Sequence, residues 1–115
     1  MARAERTYSE SEIMEQLREL PGWSYSDGAI RRSFTTDGWH STMLAVGAIA
    51  FAGEAAGHHP DLDVSWSKVE VALSTHSAKG ITEKDFETAA LIERTLLWQP
   101  DAESSLTGPP KPFVW

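Results

Sequence analysis

The 115-residue sequence predicts an α+β fold: a single domain in the order α-β-β-α-β-β-α, a four-stranded antiparallel sheet with three helices on one face. Three observations carry this expectation. Two segments alternate apolar and polar residues about a turn, three repeat apolar residues at helical spacing, and the length suits one core rather than two. Strands delivered as two hairpins pair antiparallel, and one layer of helices covers only one of the two faces. The other face and the edges are left for a partner.

Ser9 and Glu12 have capping-box spacing, and Ile13, Leu17 and Leu20 follow at i, i+4 and i+7 until Pro21-Gly22 stops the pattern. Trp23 and Tyr25 then alternate with serines, Asp27-Gly28 marks a two-residue hairpin, and Ala29 to Thr35 carries Ile30 and Phe34 on a strand. Asp37 is placed to cap a second helix, with Trp39, Met43, Val46, Ala50 and Gly53 on one face. After Pro60, Val64 and Trp66 alternate with polar residues, as do Val69, Val71 and Leu73, which gives a second hairpin turning near Ser67-Lys68 with Trp66 in the core. Gly80 breaks the chain. Thr82 and Asp85 have capping-box spacing again, and Phe86, Ala89, Ala90, Leu96 and Leu97 supply the apolar side of a third helix.

The domain is expected over 1–99, with a Pro-rich tail over 100–115. Pro109-Pro110 and Pro112 exclude regular helix there, yet the tail ends in Phe113-Val114-Trp115, aromatics that suit docking on its own or a neighbouring subunit.

A net charge of −7 repels phosphate backbones and anionic lipid, so neither nucleic acid nor membrane is an expected partner. The sequence has no cysteine, which removes disulfides and thiolate chemistry and fits a cytoplasmic location. Its start, Met1 to Thr7, is polar and has no apolar leader core, and the apolar stretch Met43 to Gly53 is shorter than the roughly 20 residues of a membrane helix.

Three of the four histidines, His58, His59 and His76, fall within one short stretch, and histidine gives or takes a proton near neutrality without tuning. Pro60 disfavours helix at His59, so the second helix should end before the pair and leave it on the exit loop. His76 lies just past the last strand, on a connection able to meet that loop at one rim of the sheet. Glu54, one helical turn before His58, is placed to orient that ring, and Asp85 to support His76. His40, at the start of the second helix, reads as a solvated histidine.

The run Glu54, three residues, His58-His59-Pro60, five residues, Trp66, nine residues, His76, eight residues, Asp85 resembles the signature of the pterin-4a-carbinolamine dehydratases. Leu73 to His76 and Gly80 to Thr82 look like that family too. The resemblance is dense from Glu54 to Ile92 and fades beyond Leu97. Two positions depart from the pattern: Gly57 stands where an acidic residue is common, and Trp66 where tyrosine is frequent.

The resemblance implies loss of water from a 4a-hydroxytetrahydropterin to give a quinonoid dihydropterin, by metal-free acid and base catalysis with no cofactor. It implies His58, His59 and His76 as the catalytic residues, with Glu54, Pro60, Thr75 and Asp85 as binding or supporting positions. A homodimer or homotetramer is implied, as is a pterin-dependent hydroxylase in the same pathway. A zinc site on the three histidines with Glu54 or Asp85 is the metal alternative, but adjacent histidines do not readily aim both rings at one ion. Two other functions compete: a non-catalytic dimerisation module acting as a protein-partner cofactor, and the same chemistry on another pterin such as a molybdopterin-related compound.

Overall fold

A computed structural model describes residues 5–115, so the first four residues of the polar start lie outside it. The elements are α1 (Glu10–Leu17), β1 (Ser24–Ser26), β2 (Ala29–Thr35), α2 (Trp39–Ala56), β3 (Asp61–Ser65), β4 (Lys68–Leu73), a 3₁₀ turn (His76–Ala78) and α3 (Glu83–Leu96). The strands form one antiparallel sheet in the order β1-β2-β4-β3. This is the expected α+β architecture, and Ser9–Glu12 and Thr82–Asp85 both form capping boxes.

Register explains which face is covered. Ile30 and Phe34 of β2 lie opposite Leu73 and Val69 of β4, and Leu62 of β3 lies opposite Val71, so the apolar set shares one face. Ile13 and Leu17 of α1, Ala45, Ile49 and Ala52 of α2, and Phe86, Ala89 and Ile92 of α3 close over it in one core. Each large side chain fully buried there contributes about 1.5–3 kcal/mol by the hydrophobic effect. Arg32 also points to this side; its guanidinium lies 4.1 Å from the Phe34 ring centroid, and Glu93 accepts from both its Nε (2.7 Å) and Trp23 Nε1 (2.8 Å). The opposite face presents Arg31, Ser33, Glu70, Asp61 and Asp63 around an open concavity of about 540 Å³.

The hairpins turn where sequence places them, with one shift. Asp27 (φ 48°) and Gly28 (φ 75°) take the paired left-handed conformations of a type I′ turn. The second hairpin pairs Ser65 with Lys68, so Trp66-Ser67 form its turn, one residue earlier than expected. Trp66 is 66% exposed rather than core, because a turn residue has no facing layer to pack on.

The second helix departs further from expectation. Its N-cap is Gly38, which makes no side-chain cap bond, while the Asp37 amide donates to the Phe113 carbonyl. The face chosen from periodicity is largely the outer one: Trp39 and Met43 are exposed, as are Leu44 and Phe51. Of the expected face Gly53 is buried, and Thr42, Ala45, Ile49 and Ala52 face inward with it. Apolar residues surround this helix, so periodicity names no side, and close packing on α3 selects the small residues.

The C-terminal tail docks on its own chain. Thr35 and Trp115 exchange backbone hydrogen bonds (2.9 and 2.8 Å), Val114 pairs with Thr36, and Val114 joins the core. β1 is too short to cover the end of β2, and the tail fills that edge. Among the described residues, no helix is long and apolar enough to cross a membrane.

Candidate active site

The histidine pair is placed by the end of α2. Gly57 takes the left-handed conformation (φ 66°), its amide donates to the Glu54 carbonyl, and the His58 amide donates to the Gly53 carbonyl. These two bonds form a Schellman motif, in which glycine is favoured because a Cβ is strained at that φ. At Gly53 the need is different: an added Cβ would stand 3.1 Å from Pro60 Cδ, so the exit loop folds directly against the last turns.

This reversal brings His58 inward. Its Nε2 donates to Asp85 Oδ1 at 2.6 Å, with the ring side chain 13% exposed and Asp85 fully buried. Asp85 divides its work between two oxygens. Oδ2 accepts from the Thr82 amide (2.9 Å), completing the α3 capping box, and from the Thr75 hydroxyl (2.8 Å). With that Thr75 proton committed, the Thr82 hydroxyl donates to Thr75 Oγ1 (2.8 Å) while accepting from the Lys84 amide (3.3 Å). No buried side-chain polar atom among the described residues lacks a partner.

Asp85 therefore both caps a helix and orients a histidine. A carboxylate that only accepts fixes the proton on Nε2, leaving Nδ1 of His58 as the nitrogen with no partner among the described residues. Thr75 immediately precedes His76, so the chain His58–Asp85–Thr75 ends one residue from the third histidine. His76 itself is exposed, at the first position of the 3₁₀ turn whose base is closed by the Thr75–Gly80 backbone pair.

Two expected pairings are exchanged. Glu54 binds His59, not His58, with Oε1 accepting from Nε2 at 2.5 Å in an exposed pair. Asp85 binds His58, not His76. Helical i, i+4 geometry stops at Ala56, and beyond the left-handed Gly57 it is His59 that comes back towards Glu54. Pro60 is half-buried against Gly53. His40 is exposed near the start of α2, roughly 24 Å of helix from its end. Among the described residues, no three His, Asp or Glu side chains are grouped to hold one metal ion.

Thr82, read from sequence only as a cap, belongs to the same hydrogen-bond chain. Glu5 went unseen altogether: it accepts from Ser77, next to His76, at 2.8 Å across 72 residues. No local pattern signals such a contact.

Residues 6–95 match the family described as pterin 4 alpha carbinolamine dehydratase. A Chloroflexus aurantiacus protein provisionally named pterin-4-alpha-carbinolamine dehydratase is 46% identical over 88 residues, 76% of this chain and 95% of its own length. A similarly named Aquifex aeolicus protein is also 46% identical over 88 residues, 76% of this chain and 89% of that one. The crystal structure of a transcriptional coactivator/pterin dehydratase from Brucella melitensis superposes with a TM-score of 0.74 at 34% identity, covering 78% of this chain and 98% of that one. The tail after α3 lies outside the family match, whereas the loops bearing all three histidines lie within it. By that match and these identities, the chain belongs to the pterin-4a-carbinolamine dehydratase family of hydro-lyases.

Proposed function

We propose that this chain removes water from a 4a-hydroxytetrahydropterin by histidine acid and base catalysis, with His58 and His76 in the two proton-transfer roles and His59 binding the substrate. The observation that carries this reading is the buried Asp85 carboxylate bonded to His58 Nε2 and, through Thr75, to the start of the His76 turn. In the reaction the C4a–O bond breaks, the departing hydroxyl takes a proton and leaves as water, and the N5–H proton passes to a base as the C4a=N5 bond forms. A hydroxyl leaves poorly unless protonated, so an acid and a base on separate loops suit the step. The free Nδ1 of His58 accepts a proton when the ring is neutral and donates one when it is charged. The reaction so written needs no metal or organic cofactor.

The product is a quinonoid dihydropterin, so a pterin-dependent hydroxylase upstream supplies the substrate. Direct observation of dehydration, with 4a-hydroxytetrahydropterin generated enzymatically in the presence of the purified chain, tests the assignment. A rate above the uncatalysed one is expected. A rate equal to background would refute it.

A second reading has its own observation. The outward side of α2 exposes Trp39, Met43, Leu44 and Phe51, and the Brucella melitensis relative is named a coactivator as well as a dehydratase. Another copy of this chain on that side makes the homo-oligomer expected of the family. A chain that recovered a stable protein partner but had no dehydratase activity would favour the binding-module role.

A further inference from the structure

The segment before α1 lies across the turn that bears His76. Glu5 Oε2 accepts from the Ser77 hydroxyl at 2.8 Å, and Oε1 pairs with Lys84 Nζ at 2.5 Å, so one carboxylate joins the 3₁₀ turn to the first turn of α3. Three residues on, the Tyr8 amide donates to the Ile81 carbonyl (2.8 Å), its hydroxyl donates to Glu83, and its ring meets Phe86 edge-on at 5.1 Å. The strap is thus anchored beside the 3₁₀ turn as well as on it.

The turn needs an external hold. His76 is exposed and makes no side-chain hydrogen bond among the described residues, and Lys79 adopts a left-handed φ of 57°, a conformation most non-glycine residues rarely take. The base of the turn is held by the Thr75–Gly80 backbone pair and by the Thr75 side chain, bonded to Asp85 and Thr82; within His76–Ala78, among the described residues, Ser77 is the side chain hydrogen-bonded to another segment.

We propose that Glu5 is a positioning residue for the dehydration, fixing the His76 turn through Ser77 and Lys84. The proposal rests on the reading of His76 as a proton-transfer group. Glu5 stands one residue before the segment matched to the family, whereas its partners Ser77 and Lys84 lie within it. The Lys84 hydrogen bond, then that of Ser77, hold the Glu5 carboxyl below its usual range.

The test uses the full chain, with Glu5→Ala, Glu5→Gln, Ser77→Ala and the Glu5→Ala/Ser77→Ala double variant. Misplacing a reacting group by a fraction of the roughly 1 Å that costs 10²-fold should lower kcat about 10-fold in Glu5→Ala, with KM changed less than about 2-fold. Glu5→Gln keeps an acceptor for Ser77 and should recover most of the loss. The double variant should be no slower than Glu5→Ala, because that single change already removes the Ser77 contact. An unchanged kcat in Glu5→Ala, or losses that multiply in the double variant, would overturn the proposal.

Imidazole NMR separates this from failure of the functional reading. If wild type shows no dehydration, the function falls, and the latch is then judged by whether Glu5→Ala shifts or broadens the His76 ring signals while leaving those of His40 unchanged. Unaltered His76 signals would overturn the latch on their own.

Discussion

Asp85 receives three donors, from His58, Thr75 and the Thr82 amide, and has only acceptor oxygens to offer them. Asn in its place would turn an NH₂ group towards one of those donors whichever way it lay. Facing His58, it would also favour the tautomer protonated on Nδ1 and block the nitrogen left for the substrate. Asp85→Asn is therefore expected to lower kcat by about 10²-fold or more. Urea unfolding should register a loss of about 1–3 kcal/mol for the unsatisfied group. Retained activity would show that the ring needs no orienting partner. Glu5 gives a pH test of the opposite end of the site. Its carboxyl is held low mainly by Lys84, so any stability it adds is present above the ordinary glutamate value of 4.5 and lost as pH falls below it through the depressed folded value. The urea midpoint of wild type should exceed that of Glu5→Gln at neutral pH, and the gap should close on acidification. A gap that widens in acid would contradict the sign. The three histidines and Asp85 could be singled out in sequence because their spacing is local to two loops and the first turn of α3. Their pairing was not, since Gly57 redirects the chain after α2 and spacing carries no direction.

At the scale of elements, the tail and α2 show what periodicity reaches and where it stops. α1 and α3 were readable because a capping box and one apolar stripe coincide in each. In α2 the apolar residues run around the helix, and the buried side was decided by fit against α3. The tail could be read only as docking somewhere, because Val114 finds its place by pairing with Thr36, 78 positions away. Removing residues 113–115 should strip three backbone bonds from Thr35 and Asp37 and expose the end of β2. We expect a loss of about 2 kcal/mol in urea unfolding, chiefly from unburying Val114, with dehydration rates little changed. The reason for the second expectation is topological: antiparallel β2 and β4 put Thr35 opposite Lys68, at the other end of the sheet from Leu73 and the His76 turn. A truncated chain of unchanged stability would mean that the bridge contributes nothing.

Across the whole molecule the sheet is covered on one side, and the helical layer is itself incompletely covered. Trp39, Met43, Leu44 and Phe51 leave an apolar strip along α2 that a monomer would hold in water, and such strips mark association sites. The purified chain should sediment as a homo-oligomer at micromolar concentration. Replacing Met43 and Phe51 with Glu should reduce its mass towards the monomer, since each introduced charge would have to be buried unpaired. A monomeric wild type would assign the strip to another partner. The uncovered side of the sheet was foreseeable from the count of strands and helices. Which helix face lay outward was not.

The most direct check on the central claim is a single-turnover comparison of wild type with His58→Gln and His76→Gln on 4a-hydroxytetrahydropterin. Each single variant should fall by about 10² to 10⁴, with His40→Gln unaffected. Wild-type rates in either His58→Gln or His76→Gln would contradict an active site built on those two imidazoles.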